Sequence, residues 1–135
     1  MVSIVIAGAS GRMGRALIEA TIETIDAELI GGTVRSGSSV VGTDAGELVG
    51  KKKIEAPIHY SLEAFSDHGP VVIDFTTIDS TINHLSWCVS HRVPCVIGTT
   101  GFSKKEEELI KKYARKIPIL KAGNMSLGIN LLMYL

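Results

Sequence analysis

Three observations predict an α/β fold built on a doubly wound parallel sheet. The chain opens on a short, almost wholly apolar run, residues 2–7, that breaks into three glycines, Gly8, Gly11 and Gly14. Short apolar runs then alternate with stretches of helical apolar spacing along the chain, the pattern of repeated βαβ units. Each run ends in a segment of small, polar or glycine residues: the glycine loop, 33–36, 74–77, 98–101 and 122–125. In parallel α/β sheets ligands bind outside the carboxyl ends of the strands, so five separated segments can build one site.

The elements follow in order. Residues 2–7 lack polar alternation, as a strand covered on both faces does. From Met13 the apolar positions Met13, Ala16, Leu17, Ala20 and Ile25 recur at helical spacing, and Arg15, Glu19 and Glu23 face water. Asp26 breaks that pattern. Residues 29–34 form the second strand, where Gly31 and Gly32 imply that something packs closely. Residues 36–50 read as a long Gly/Ser/Thr-rich loop with a short helical turn near 45–48, and Lys51, Lys52 and Lys53 as a solvated turn. Residues 58–60 make a short strand, and Ser61 caps a short helix carrying Leu62, Ala64 and Phe65. Residues 71–73 form a buried strand, 79–91 a helix with Ile82, Leu85, Cys88 and Val89 on one side, and 95–97 the next strand. Ser103 with Glu106 three residues on is a capping box, opening a charged helix through Lys116. A strand at 118–120 and a helix beginning near 126 or 127 complete the chain.

The glycine segment carries the first chemical signal. A glycine turn lets the main chain approach a ligand closely, and the helix after it aims free N–H groups and a partial positive charge at the same point. The spacing is G-x-x-G-x-x-G rather than the commoner G-x-G-x-x-G. Behind a strand and within alternating elements, it predicts a Rossmann-type dinucleotide site. Bulk properties point away from other partners. The formal net charge is zero with a pI near 6.9, which gives no basic surface for nucleic acid or anionic membrane. No apolar run is long enough to span a bilayer, and nothing resembles a secretory leader. A cytoplasmic protein is expected. Cys88 and Cys95 have no metal-ligand spacing and read as buried free thiols; no metal site is predicted.

Taken together, A-G-A-S-G-R-M-G at 7–14, D-F-T at 74–76, V-I-G-T-T-G-F at 96–102 and A-G-N-M-S-L-G-I-N at 122–130 resemble 4-hydroxy-tetrahydrodipicolinate reductase, formerly dihydrodipicolinate reductase. The resemblance implies reduction of 4-hydroxy-tetrahydrodipicolinate to tetrahydrodipicolinate by NAD(P)H in lysine and diaminopimelate synthesis. It implies that residues 1–125 are the cofactor-binding Rossmann domain and 126–135 the start of a helix leading to a substrate and tetramerisation domain not included here. The family's substrate signature, a His-His pair, a lysine and a Pro-Ser-Gly-Thr-Ala run, does not occur in the chain. No catalytic residue is therefore assigned, and His59, His68, His84 and His91 read as surface or packing histidines. The chain alone is expected to bind cofactor and turn over little.

Position by position, the resemblance makes Gly8, Ala9, Ser10, Gly11, Arg12 and Met13 the pyrophosphate loop, with backbone N–H donors and the Arg12 charge. Phe75 and Thr76 would lie along the cofactor. Gly98, Thr99 and Thr100 would hold the nicotinamide, and Ala122, Gly123, Asn124 and Met125 would flank its ribose and ring. At the end of the second strand an NAD-selective site places an acid on the ribose 2′-hydroxyl. This chain has Val34 and Arg35 there, and Arg35 suits a 2′-phosphate. NADPH is the expected preference, with NADH as the other cofactor. Short-chain dehydrogenases need Tyr-x-x-x-Lys, which none of the tyrosines provides. Homoserine and aspartate-semialdehyde dehydrogenases are harder to separate by fold, but G-T-T-G-F and G-N-M-S-L-G do not suit them. A non-catalytic, redox-sensing dinucleotide module is the alternative reading.

Overall fold

The computed structural model describes residues 1–123. The strands are β1 (Val2–Ala7), β2 (Ala27–Thr33), β3 (Ile58–His59), β4 (Val71–Asp74), β5 (Cys95–Ile97) and β6 (Ile119–Lys121). The helices are α1 (Arg12–Ile22), α2 (Ala45–Leu48), α3 (Ile78–His91) and α4 (Lys104–Ala114), with a 3₁₀ turn at Leu62–Phe65. One six-stranded sheet has the order β3-β2-β1-β4-β5-β6, and its strand pairs are parallel. The chain winds outward from β1 in one direction, then returns and winds in the other. The reversal leaves a crevice between the carboxyl ends of β1 and β4, the topological switch point of a Rossmann fold.

Period-two alternation sorts the side chains into two cores, one on each face. Ile4 and Ile6 of β1, Ile73 of β4 and Val96 of β5 pack with Leu17 and Ile18 of α1 and Ala45 of α2. Val5 and Ala7, Val72, Cys95 and Ile97 pack with Leu85 and Cys88 of α3 and Ile110 of α4. Both faces of the central strands are thus buried, which is why they read as unbroken apolar runs. Cys88 and Cys95 are free and buried in the second core. The Cys95 thiol is pushed well up, first by its hydrogen bond with Cys88 and then by burial.

The glycines of β2 pack as their positions predicted. A Cβ on Gly31 would lie 2.4 Å from the Phe65 ring, and one on Gly32 would lie 2.8 Å from Ala9 Cβ. The Ser103–Glu106 capping box is complete in both directions, and Ser61 caps the 3₁₀ turn through Glu63 N–H. Several boundaries differ from expectation. Helix α1 stops at Ile22, where the Thr24 hydroxyl takes the Ala20 carbonyl and the Thr24 N–H turns to the Thr21 carbonyl. Ile25 therefore falls beyond the helix and is 88% exposed. Strand β2 starts at Ala27, β6 runs to Lys121, and α4 ends at Ala114.

The loop before β3 is held by one residue that the sequence reading passed over. Asp44 caps α2 and accepts from the backbone N–H groups of Gly46, Glu47, Ile54 and Ala56, at 2.7–3.2 Å. Burial works to raise its pKa, but the donors of Ile54, Ala56, Glu47 and Gly46 outweigh burial and hold it below the ordinary 3.8.

Candidate functional site

The switch-point crevice contains two adjoining cavities. The first, about 440 Å³, is lined by the loop residues Gly8, Ser10 and Gly11, by Thr33, Val34 and Arg35 after β2, by Tyr60 and Ser61 after β3, and by Phe75, Thr76, Thr77, Ser80 and His84. The second, about 390 Å³, is lined by Met13, Phe75, Thr76, Thr77, Ile78, Gly98, Thr99 and Thr100. Phe75, Thr76 and Thr77 border both, so the crevice runs from β3 across β1 and β4 to β5.

The glycine loop is built against main chain. Gly8 has φ +82°, a conformation that resists a side chain, and an added Cβ would reach Thr76 Cγ2 at 2.6 Å. At Gly14 a Cβ would lie 1.9 Å from the Gly8 carbonyl oxygen, whereas at Gly11 it would stand 3.6 Å from the same atom. The loop's own donors divide. Gly8 and Ala9 N–H both give their hydrogen bonds to the Thr33 carbonyl, and Gly11 N–H to that of Gly8. Among the described residues the N–H groups of Ser10, Arg12 and Met13 have no protein acceptor. They are free donors at this helix N-terminus, of the kind that can take an anion. Arg15 secures the loop from behind. Its Nε donates to the Ser10 carbonyl at 3.0 Å and its Nη1 to the Leu48 carbonyl at 2.9 Å, where α2 ends.

The β4 end is organised by Asp74, which has no exposed surface. Its Oδ1 accepts from Thr76 N–H (2.9 Å), Thr76 Oγ1 (2.5 Å) and Thr81 Oγ1 (3.2 Å), and its Oδ2 meets His84 Nδ1 at 2.5 Å. A carboxylate only accepts, so the His84 proton resides on Nδ1. The same logic gives direction to the next bond. Thr81 donates to Asp74, so Thr99, 2.8 Å away, must donate to Thr81. The Thr99 hydroxyl proton is therefore committed inward, and its oxygen is left as an acceptor. Thr77 caps α3 by accepting from Ser80 N–H.

The glycine turn, the helix N-terminus and the crevice at the strand-order reversal fit a pyrophosphate flanked by two nucleosides. A profile described as "Dihydrodipicolinate reductase, N-terminus" matches residues 2–125 of the chain. The chain belongs to that family. Solved structures show the same fold in dihydrodipicolinate reductase and beyond it. A dipicolinate-bound dihydrodipicolinate reductase from Paenisporosarcina sp. TG-14 is 24% identical, with a TM-score of 0.73 over 92% of this chain and 48% of that one. An oxidoreductase from Agrobacterium radiobacter, in complex with NAD+, L-tartaric acid and magnesium, is 17% identical, with a TM-score of 0.69 over 89% and 34%. Aspartate semialdehyde dehydrogenase with NADP from Candida albicans is 12% identical, with a TM-score of 0.62 over 90% and 42%. The chain spans about half the length of these proteins or less.

Within this dihydrodipicolinate reductase domain, the residues expected at the site fall into three groups. Gly8, Ser10, Gly11, Arg35, Phe75 and Thr76 line the first cavity, and Met13, Gly98, Thr99 and Thr100 the second. Ala9, Arg12, Ala122 and Gly123 line neither: Ala9 and Ala122 are buried in the core, and Arg12 and Gly123 are exposed. Asn124, Met125 and the expected final helix lie outside the described residues. At Gly98 the Phe75 ring occupies the place of a side chain, 2.1 Å from where a Cβ would be, so the position admits glycine alone while its main chain still borders the second cavity.

The histidines also divide. His59 and His68 pack edge-on to Phe65, and His91 stacks on Trp87, as packing histidines do. His84 does not belong with them: it borders the first cavity and is paired with Asp74. A signal for it exists in the sequence. Thr81 and His84 are one helical turn apart, beside the apolar stripe of a helix that follows a strand ending in aspartate.

Proposed function

We propose that this chain is the cofactor-binding part of an NAD(P)H-dependent 4-hydroxy-tetrahydrodipicolinate reductase of cytoplasmic lysine and diaminopimelate synthesis. The observation that carries the proposal is the continuous crevice, with free main-chain donors at its centre and a cavity on either side. Reduced nicotinamide, when bound, would supply the hydride that, with one proton, replaces the substrate's 4-hydroxyl, lost as water, through the conjugated C=N system. The chain's own residues bind and orient. Ser10, Arg12 and Met13 N–H groups take the pyrophosphate oxygens, and Arg12 adds charge near them. Gly98, Thr99 and Thr100 frame the nicotinamide. The Thr99 oxygen, with its proton directed to Thr81, accepts from a carboxamide N–H₂ or a ribose hydroxyl. Phe75 and Thr76 wall the middle of the crevice. The His-His pair and lysine that contact substrate in the family do not occur in this sequence. We read the chain as a cofactor holder; in the family, substrate contacts and the homotetramer are made by a second domain.

Arg35 supports NADPH as the preferred cofactor. It lines the adenosine side of the crevice, is exposed, and enters none of the ion pairs among the described residues. Titrating NADPH and NADH onto the chain tests the reading. Arg35→Ala should weaken NADPH by about tenfold or more, the worth of a charge-assisted contact, and NADH far less. Equal or tighter NADH binding, unchanged in Arg35→Ala, refutes the preference. Turnover of 4-hydroxy-tetrahydrodipicolinate by this chain alone at the rate of a complete reductase refutes the division of labour.

A further inference from the structure

Tyr60 carries an aromatic ring that the fold leaves in water. It follows directly on β3 and is 65% exposed. The other exposed large apolar side chains among the described residues are Met1, Ile25 and Val41, and of these four Tyr60 alone borders the crevice. A lone exposed aromatic is ordinary; one forming the wall of a ligand-sized cavity beside an unpaired arginine is a platform for a flat ligand. The sheet order says which part of a dinucleotide reaches it. From the glycine loop at β1, β3 lies two strands away on one side, and Gly98–Thr100 after β5 lie two strands away on the other. Two strand spacings are about 10 Å, the span from a pyrophosphate through one ribose to its base. The base on the β3 side is the one remote from Thr99, hence the adenine.

We infer that Tyr60 is the stacking platform for the adenine of the dinucleotide, supplying affinity common to NADPH and NADH while Arg35 discriminates between them. The inference rests on the dinucleotide reading of the crevice and adds a base-binding residue to it. A phenol ring offers a π-face to the purine at little entropic cost, and base–aromatic stacking is sequence-tolerant and strong.

The test titrates NADPH, NADH and ADP-ribose onto the wild-type chain and onto Tyr60→Ala and Tyr60→Phe. Tyr60→Ala should weaken all three ligands by a similar factor, about tenfold, and Tyr60→Phe should stay within about twofold of wild type. ADP-ribose lacks nicotinamide, so its loss locates the effect at the adenine end. Circular dichroism and urea unfolding of each variant check that the exposed substitution leaves the fold intact. Unchanged affinities in Tyr60→Ala overturn the inference, as does a loss confined to NADPH or a Tyr60→Phe variant as weak as Tyr60→Ala. Failure of the wild-type chain to bind any of the three overturns the dinucleotide reading itself, a result distinct from these.

Discussion

Substituting the three loop glycines by alanine, one at a time, should separate positions that look equivalent in sequence. Gly14→Ala is the decisive variant. Its new Cβ would lie 1.9 Å from the Gly8 carbonyl oxygen, 2.8 Å from the Gly8 carbonyl carbon and 2.9 Å from that of Ala9. Ordinary contact begins about 1.5 Å further out, and every obstructing atom is main chain, so no rotamer change relieves the clash. Either α1 retreats or the loop deforms. Alanine favours an interior helical position by about 1 kcal/mol over glycine, whereas overpacking costs about 1–3 kcal/mol and reaches the upper end when backbone must move. The net expectation is a loss of about 2 kcal/mol in urea unfolding. Dinucleotide affinity should also fall by about tenfold or more, because the Arg12 and Met13 donors shift away from the anion. Gly11→Ala is the control: its Cβ meets only the Gly8 oxygen, at 3.6 Å. It should cost about 1 kcal/mol or less, the difference between glycine and alanine at an N-cap. A Gly14→Ala chain as stable as wild type, or less damaged than Gly11→Ala, would refute the packing argument.

Two further predictions concern buried carboxylates. Asp74→Ala removes the acceptor of Thr76, Thr81 and His84 and should cost about 3 kcal/mol or more in denaturant unfolding, together with weaker cofactor binding. Asp74→Asn should be milder, because its side-chain carbonyl keeps the Oδ1 bonds; a harmless Asp74→Ala would show that the carboxylate organises nothing. Asp44 has a folded pKa below its unfolded value, so the unfolded chain binds the proton more tightly. Its contribution is therefore fully present above about pH 4 and lost as pH falls through the lower folded value. The stability gap between wild type and Asp44→Asn, measured by thermal unfolding across that window, should close on acidification, and a gap constant down to pH 2 would contradict the assignment.

What was legible in the sequence was local. Apolar runs, the Ser103–Glu106 pair and the three glycines are short-range signals, each decided by neighbours a few residues away, and each led to the right element. Gly31 and Gly32 announced a close approach but not its partner, since Phe65 and Ala9 arrive from elsewhere in the chain. Helix ends were less legible. Ile25 continues the apolar spacing of α1, yet the helix ends first, its last turn closed by Thr24. The lining of the crevice was legible where loop chemistry marks it, at Gly8, Ser10, Gly98 and Thr99. It was not where a strand end meets the flank of a following helix. Asp74 and His84 are ten residues apart and joined only once α3 docks on the sheet. Asp44 gathers donors up to twelve residues downstream, a bond set that no window of local propensity contains.

The two carbonyls held by Arg15 belong to different parts of the chain, Ser10 in the anion loop and Leu48 at the end of α2. One guanidinium thus ties the excursion between β2 and β3, which includes Arg35, to the turn behind β1. Swinging that excursion outward to release the adenosine half of a ligand would strain the grip on the other half. Departure of a dinucleotide would then be a concerted event rather than an end-first peeling, and residence time would report on the latch as well as on the contacts themselves.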